Sequence, residues 1–460
     1  MSIQPVKGTH DLYGEDALAL RYVEGVLLSV AELYGYREII LPDFEYTDVF
    51  ERGTGEGSDV VRKEMYTFKD KGDRSLTLRP EFTAGVARSV ISNRFYATED
   101  LPFKVYYYGP LFRYERPQLG RYRQFNQFGV EAIGEDSARL DAETIMVAVQ
   151  SLALLGFKDV TLKINSLGDE ESRKNYREAL KSYFKEHIDS MCDDCKERLE
   201  LNPLRILDCK VEKDQEIAEN APKISSYLSE ASEKRYYETL SILNDMNVKY
   251  EKDESLVRGL DYYSEVVFEV HAKAPSGNDY GALLGGGHYA SLLKELGGPN
   301  LPGVGFAMGV ERLCAVLKEE GLLKNLDDGI DIYVMPIGQE MLENADHLAE
   351  ECRMYGYKTE VPFGSLKFSS LFKKAERRKA KFALILGEDE MKKGVAQLKE
   401  LATKTQKEIR LENLEKELEE AFEPYYKEEE HSCSCNEDTC QCHDGDCSCR
   451  DGHGHSSTRE

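Results

Sequence analysis

The chain has 460 residues, 41% of them hydrophobic, and a formal net charge of −25. That length exceeds one compact domain, the composition supports a buried core rather than wholesale disorder, and the acidity excludes a general nucleic-acid-coating surface. No apolar run approaches the roughly 18 residues of a membrane helix, and residues 1–7 lack the basic and apolar regions of a signal peptide, so a cytoplasmic protein is expected.

In chain order, Leu20, Val23, Leu27, Val30 and Tyr34 recur at three- and four-residue steps, which predicts an amphipathic helix over 16–34. A short strand at 39–41 follows, ending at Pro42. Aromatic and β-branched runs at 105–108, 125–133 and 262–271 predict longer strands, and Val160, Leu162 and Ile164 alternate as on a half-buried one. Residues 169–245 are charged, helix-forming and broken at Asn202-Pro203, and read as a helical insertion within a sheet-containing domain of residues 1–325. After Asp327-Asp328-Gly329 the pattern alternates. Strand-like runs at 332–336, 357–361 and 382–386 and a further run at 395–401 are interleaved with helical stretches near 339–355 and 366–379. This predicts a small α/β domain over 330–425 with a largely parallel sheet. From 427 to 460 the chain turns to Cys, His, Asp, Gly and Ser and carries nine acidic against three basic residues. Such a tail is expected to be disordered unless a metal orders it.

Four stretches place charge in apolar or β-forming context: 77–83, 112–131, 256–263 and 305–313. In the second, strand-like runs flank a turn around Gly120 near which Arg113, Arg116, Arg121 and Arg123 gather. Guanidinium forks match phosphate oxygens bidentately, so the hairpin suits a polyphosphate; the same residues also read as a surface ion-pair network. Gln127 and Glu131 share a strand parity, and hence a face, where an amide and a carboxylate suit an amine and an imidazole N–H. The glycines of 305–309 and the triple glycine 285–287 allow close backbone approach. Neither a phosphate-loop lysine motif nor the Rossmann glycine spacing is present.

Taken in order, these stretches resemble the class II aminoacyl-tRNA synthetases, and specifically the histidyl-tRNA synthetase family. Residues 7–11 resemble that family's opening, 35–42 its dimer-forming motif 1, 112–131 motif 2, 305–313 motif 3, and Arg258-Gly259-Leu260-Asp261-Tyr262-Tyr263 the signature that selects histidine. The similarity covers about residues 5–425. It implies an α+β catalytic domain with an antiparallel sheet and a C-terminal anticodon-binding domain. It also implies a homodimer that adenylates L-histidine with ATP and Mg2+ and transfers it to tRNA(His). On this resemblance Arg113 grips the α-phosphate, Glu115 the adenine amine, Arg121 the outer phosphates and Arg312 the γ-phosphate. Glu81, Thr83 and Gln127 hold the amino-acid head group, Glu131 and Tyr263 read the imidazole with Tyr262 beside them, and Arg258 stands at the reacting carboxylate and phosphate. The chemistry asks for positioning and cationic clamping rather than a protein nucleophile. An alternative is a synthetase-like regulatory subunit, such as that of ATP phosphoribosyltransferase. Phe82, His288, Ala290 and Asn126 depart from common family residues, and local repacking is the expected reason. For tRNA, Lys373, Lys374, Arg377 and Arg378 are the expected basic contact on an otherwise acidic chain.

Cysteines fall in two groups. Cys192, Cys195 and Cys209 supply three zinc donors, with Asp208 or His187 able to complete a fourth; reduced cysteines in a helical insertion are the other reading. In the tail, Cys433, Cys435, Cys440, Cys442, Cys447 and Cys449 repeat at seven-residue spacing among histidines, which suits Zn2+ or Cu+ as a metal store or sensor; a solvated tail without metal is the alternative.

Overall fold

Alternation of apolar and polar residues along strands organises the first of two units into which the chain divides, the boundary falling between residues 327 and 328. The computed structural model describes residues 3–55, 58–116, 121–273, 279–323, 326 and 328–430. Strands of the first unit are β1 (Arg37–Glu38), β2 (Phe44–Tyr46), β3 (Tyr66–Lys69), β4 (Ser75–Leu78), β5 (Phe103–Phe112), β6 (Gln124–Ile133), β7 (Asp159–Ser166), β8 (Tyr250–Lys252), β9 (Ser264–Lys273), β10 (Asp279–Tyr289) and β11 (Gly303–Gly309). Eight form one sheet in the order β1-β5-β6-β11-β10-β9-β7-β8, and β2-β4-β3 form a small second sheet. Neighbours in the large sheet pair antiparallel except at its edges, where short β1 and β8 run parallel to β5 and β7. The antiparallel sheet implied by the resemblance is present.

Period two splits this sheet into an apolar face and a polar one. On β6, Phe128, Val130 and Ala132 enter one core, as do Val304, Phe306 and Met308 on β11 and Val266, Phe268 and Val270 on β9. The intervening positions, Gln127, Gly129 and Glu131 on β6, Gly305 and Ala307 on β11, and Glu269 on β9, therefore point the other way. Helices Glu15–Leu33, Ala138–Leu154 and Val310–Glu319 cover the apolar face with Val23, Leu27, Ile145, Leu152 and Leu313. Each such side chain contributes roughly 1.5–3 kcal/mol on full burial. Closing one face this way leaves the other free to carry charge.

Helix Glu230–Asp245 also joins this core, through Tyr236, Leu240 and Leu243. The expectation of an insertion running to 245 therefore overreaches: the helix is highly charged, but its buried stripe seats it on the sheet. The strand expected from 262 starts at Ser264, which leaves Tyr262 and Tyr263 in the preceding turn.

The second unit has β12 (Ile332–Pro336), β13 (Thr359–Glu360), β14 (Phe382–Leu386), β15 (Val395–Glu400) and β16 (Gln406–Arg410), ordered β13-β12-β14-β15-β16. β12 pairs parallel with β13 and β14, but β15 is antiparallel to both β14 and β16. The largely parallel sheet expected from the alternation is thus mixed. Only residues 387–394 link β14 to β15, too few for the dozen or so a parallel crossover needs. β16 escaped the sequence reading because only Ile409 of its five residues is buried. Helices Leu342–Met354, Phe368–Arg377, Glu388–Lys393 and Leu414–Glu430 complete the unit, the last carrying the chain past position 427. The six tail cysteines lie outside the described residues.

Candidate active site

A cavity of 440 Å³ opens on the polar face of the large sheet. Glu81, Thr83, Arg113, Glu115, Arg121, Gln127, Arg258, Tyr262, Tyr263 and Arg312 all line it, although they come from six separate parts of the chain. Glu131 lies just beneath, fully buried, so the sheet brings every predicted substrate residue to one place.

The floor is acidic and aromatic. Helix Thr83–Ser92 starts at the cavity, and Glu81 takes its first amides: Thr83 N donates at 2.5 Å and Ala84 N at 2.9 Å. These bonds aim a buried carboxylate whose remaining lone pairs can accept from an ammonium. Burial pushes its pKa up, against those amides and Arg113. Glu131 accepts from Thr83 Oγ1 at 2.6 Å, from the Tyr289 hydroxyl at 2.8 Å and, weakly, from the Tyr107 hydroxyl at 3.5 Å. Its pKa is pushed up to about 8 by burial, which outweighs those donors. Gly305 pairs with Glu131 across β6 and β11, and a methyl group there would overlap Glu131 Oε2, so only glycine admits the carboxylate. Tyr262 and Tyr263 pack with ring centroids 4.6 Å apart and Tyr289 meets Tyr262 edge-on, forming an aromatic wall.

Cations ring the opposite side. Arg258 sits on the loop before β9, ion-paired to Glu269, with its guanidinium 5.7 Å from the Tyr263 ring centroid. A methyl group on Gly285 would overlap that guanidinium, which explains the need for glycine in the triple-glycine strand. Burial raises the Glu269 pKa, but the hydrogen bond from His271 and the charges of Arg258 and His271 outweigh it and hold the carboxyl below its ordinary value. Arg113 Nε donates to Pro80 O at 2.7 Å, and Glu115 lies 3.8 Å from Arg113 and 3.9 Å from Arg121. Arg312 donates to Tyr280 O. Next to it, Glu311 accepts from the Asn126 amide at 2.8 and 2.7 Å and from Asn126 Nδ2 at 2.9 Å, bolting the helix after β11 to β6. Asn126, a departure from the common family residue, is therefore a positioning contact.

The other departures pack outside the cavity. Phe82 stacks on Tyr107 at 4.3 Å and lies under Arg79. Ala290 is exposed. His288 is buried with Nδ1 3.0 Å from Arg235 and 3.4 Å from Asp141, so helix Glu230–Asp245 brings a guanidinium beside the position where the family often has arginine. Sequence reasoning missed Tyr107, Tyr289 and Glu269. A lone carboxylate inside the apolar run of β9 was the available signal for Glu269. Asp59 and Arg205, which also line the cavity and pair at 2.9 Å, gave none because 146 positions separate them.

In the second unit Lys373 and Arg377 are exposed on helix Phe368–Arg377. Lys374 donates to Phe363 O at 2.9 Å, and Arg378 is forked onto Glu360 at 2.9, 3.0 and 2.6 Å. The expected basic face is therefore carried mainly by Lys373 and Arg377. Of the expected metal donors, Cys192, Cys195 and Cys209 converge, but neither candidate for the fourth ligand joins them. Asp208 is exposed and paired with Lys210 at 2.7 Å, and His187 packs on Tyr183. Asp214 takes the fourth place.

A family model described as histidyl-tRNA synthetase matches residues 8–313, and one described as an anticodon binding domain matches 331–421. The chain is 46% identical over 412 residues to a histidine–tRNA ligase of Bacillus cytotoxicus, across 90% of this chain and 97% of that one. It is 46% identical over 411 residues to that of Anoxybacillus flavithermus, across 89% and 97%. Among solved structures, apo S. aureus histidyl-tRNA synthetase matches with a TM-score of 0.77 and 38% identity, over 90% of this chain and 99% of that one.

Proposed function

The chain belongs to the histidyl-tRNA synthetase family and is a histidine–tRNA ligase, and from that premise we propose that both half-reactions run in the cavity on the polar face of the sheet. One observation carries the reading: buried carboxylates and a tyrosine wall on one side face Arg113, Arg121, Arg258 and Arg312 on the other within 440 Å³. An amphoteric amino acid and a polyphosphate fit across that divide in one orientation.

Glu81, Thr83 and Gln127 hold the histidine ammonium, while Glu131, with Tyr263 and Tyr262 alongside, reads the imidazole. A histidine carboxylate oxygen then attacks the α-phosphorus of ATP. The bond to the bridging oxygen breaks and pyrophosphate leaves. Arg258 and Arg113 neutralise charge spread over the α-phosphate, Arg121 and Arg312 hold the outer phosphates, and Glu115 takes the adenine amine. In the second half-reaction a hydroxyl of the terminal tRNA ribose attacks the carbonyl carbon and AMP departs. Magnesium binds substrate phosphates with one or two carboxylates, and Glu269 on the cavity wall is an oxygen donor of that kind; bound there it would neutralise phosphate charge.

The tRNA(His) anticodon stem meets the second unit at Lys373 and Arg377, with Lys374 and Arg378 beside them in the chain. A homodimer is supported by the two-residue edge strand β1, beside which Ile40 is 84% exposed. No described helix is long and apolar enough to cross a membrane, which is compatible with a cytoplasmic site of action. Tail thiolates at 433–449 would take zinc or copper(I). The alternative, a regulatory subunit without aminoacylation, does not require the Arg258–Glu269 pair or the helix bearing Lys373. Histidine-dependent exchange of pyrophosphate into ATP, run against the other amino acids, tests the reading; no exchange with any amino acid would favour the regulatory subunit.

A further inference from the structure

We propose that Cys192, Cys195, Cys209 and Asp214 form a structural zinc site that fastens the helical insertion onto the Arg258 loop. Their donor atoms all lie within 4.8 Å of one another. Cys192 Sγ is 3.9 Å from Cys209 Sγ, and Cys209 Sγ is 3.4 Å from Asp214 Oδ2. With Zn–S near 2.3 Å and Zn–O near 2.0–2.2 Å, a tetrahedron has S–S edges of about 3.8 Å and S–O edges of about 3.5 Å. The Cys192–Cys209 and Cys209–Asp214 pairs thus already stand at tetrahedral spacing. A disulfide would bring two sulfurs to about 2.05 Å, and all three cysteines are free thiols.

Burial points the same way. Cys195, Cys209 and Asp214 are buried, and Asp214 Oδ1 has no hydrogen-bond partner. A carboxylate sealed in without a cation is costly, and a divalent ion among soft thiolate donors is the neutralising partner that the site fits.

Position gives the site a consequence. Helix Asp193–Leu201, which carries Cys195, and the 3-10 turn Pro203–Asp208 lie between Cys192 and Cys209. Arg198 from the helix and Arg205 from the turn pair with Asp59 at 3.1 and 2.9 Å. Arg205 also donates to Arg258 O at 3.4 Å, and Asn202 donates to Asp261 at 2.7 Å. The metal takes no part in the reaction; it holds the turn that holds the loop bearing Arg258. Losing it should slow adenylation roughly 10- to 100-fold, because displacements near 1 Å at a reacting group have effects of that size.

The test uses the full chain with all six tail cysteines changed to serine, which removes the competing thiolates. Elemental analysis should find about one zinc per chain. Cobalt(II) reconstitution should give the visible absorption of a tetrahedral thiolate complex. Chelation followed by removal of the chelator should lower both the melting temperature and pyrophosphate exchange assayed with its magnesium supplied, and added zinc should restore them. Cys195→Ser and the milder Asp214→Asn should each reduce the zinc content. The proposal is overturned if the tail-serine protein takes up no zinc under reducing conditions, if zinc survives undiminished in Asp214→Asn, or if another metal occupies the site. It is also overturned if removing zinc leaves melting and exchange unchanged.

Discussion

Gly285→Ala is expected to slow adenylate formation about 100-fold without unfolding the protein. Gly285 sits on β10 opposite Glu269, and its backbone is not in the left-handed region, so alanine is admissible there. The added methyl overlaps Arg258 Nη1, Nη2 and Cζ. Ordinary carbon contacts need about 3.5 Å, so the guanidinium must retreat by about 1 Å. It is the free end of a long side chain and can do so at a cost of at most about 1–3 kcal/mol to the fold. Its pairing with Glu269 and its proposed position at the reacting phosphate are lost together, a loss of about 2.7 kcal/mol of transition-state stabilisation for a 100-fold effect. Single-turnover formation of adenylate by quenched flow measures the effect, with urea unfolding as the control for folding. Arg258→Ala should fall on the order of 100- to 1,000-fold. The double variant should be no slower than Arg258→Ala alone, since the methyl then meets no guanidinium. A Gly285→Ala rate within about twofold of the parent, or additive losses in the double variant, would refute the claim that Arg258 acts from this position.

Glu131→Gln should raise KM for histidine by roughly 5- to 150-fold, from an unpaired donor worth about 1–3 kcal/mol, with a smaller change for ATP; equal rises in steady-state kinetics would remove Glu131 as the imidazole reader. The same variant tests pH dependence. The folded Glu131 carboxyl titrates at about 8 and a free one near 4.5, so between these values the fold keeps a proton that the unfolded chain has released, and stability falls as pH rises. Urea unfolding should therefore show Glu131→Gln gaining on the parent from about pH 5 to about pH 8, by an amount on the order of a few kcal/mol, and a flat difference would contradict the burial argument. Replacing Lys373, Lys374, Arg377 and Arg378 with alanine should weaken tRNA binding and flatten its salt dependence while leaving pyrophosphate exchange intact, with most of the loss already present in the Lys373→Ala, Arg377→Ala pair. Arg235→Ala should cost about 1–3 kcal/mol in urea unfolding, because it leaves buried Asp141, to which Arg235 bonds at 2.9 and 2.8 Å, with His288 at 3.4 Å as its remaining partner.

Local pattern was enough for much of this protein. The helix at 15–33 and the strands through 105–108 and 125–133 follow from periodicity, because one face of each element must leave water. Parity alone placed Gln127 and Glu131 on one face, and the resemblance carried by 112–131 and 256–263 marked residues that the cavity does bring together. Other features depend on pairings between distant segments, and no local pattern encodes those. The helix at 230–245 belongs to the sheet core because its partners on helix Ala138–Leu154, β7 and β9 lie there. The direction of β15 was set by the shortness of its connection to β14 rather than by its composition. Glu269 opposite Arg258, Tyr289 over Glu131, Arg205 on Asp59 and Asp214 among three cysteines are matches of charge or hydrogen-bonding capacity made across the fold. Burying a polar group is costly unless it finds a partner, and only the tertiary structure decides which partner stands within reach.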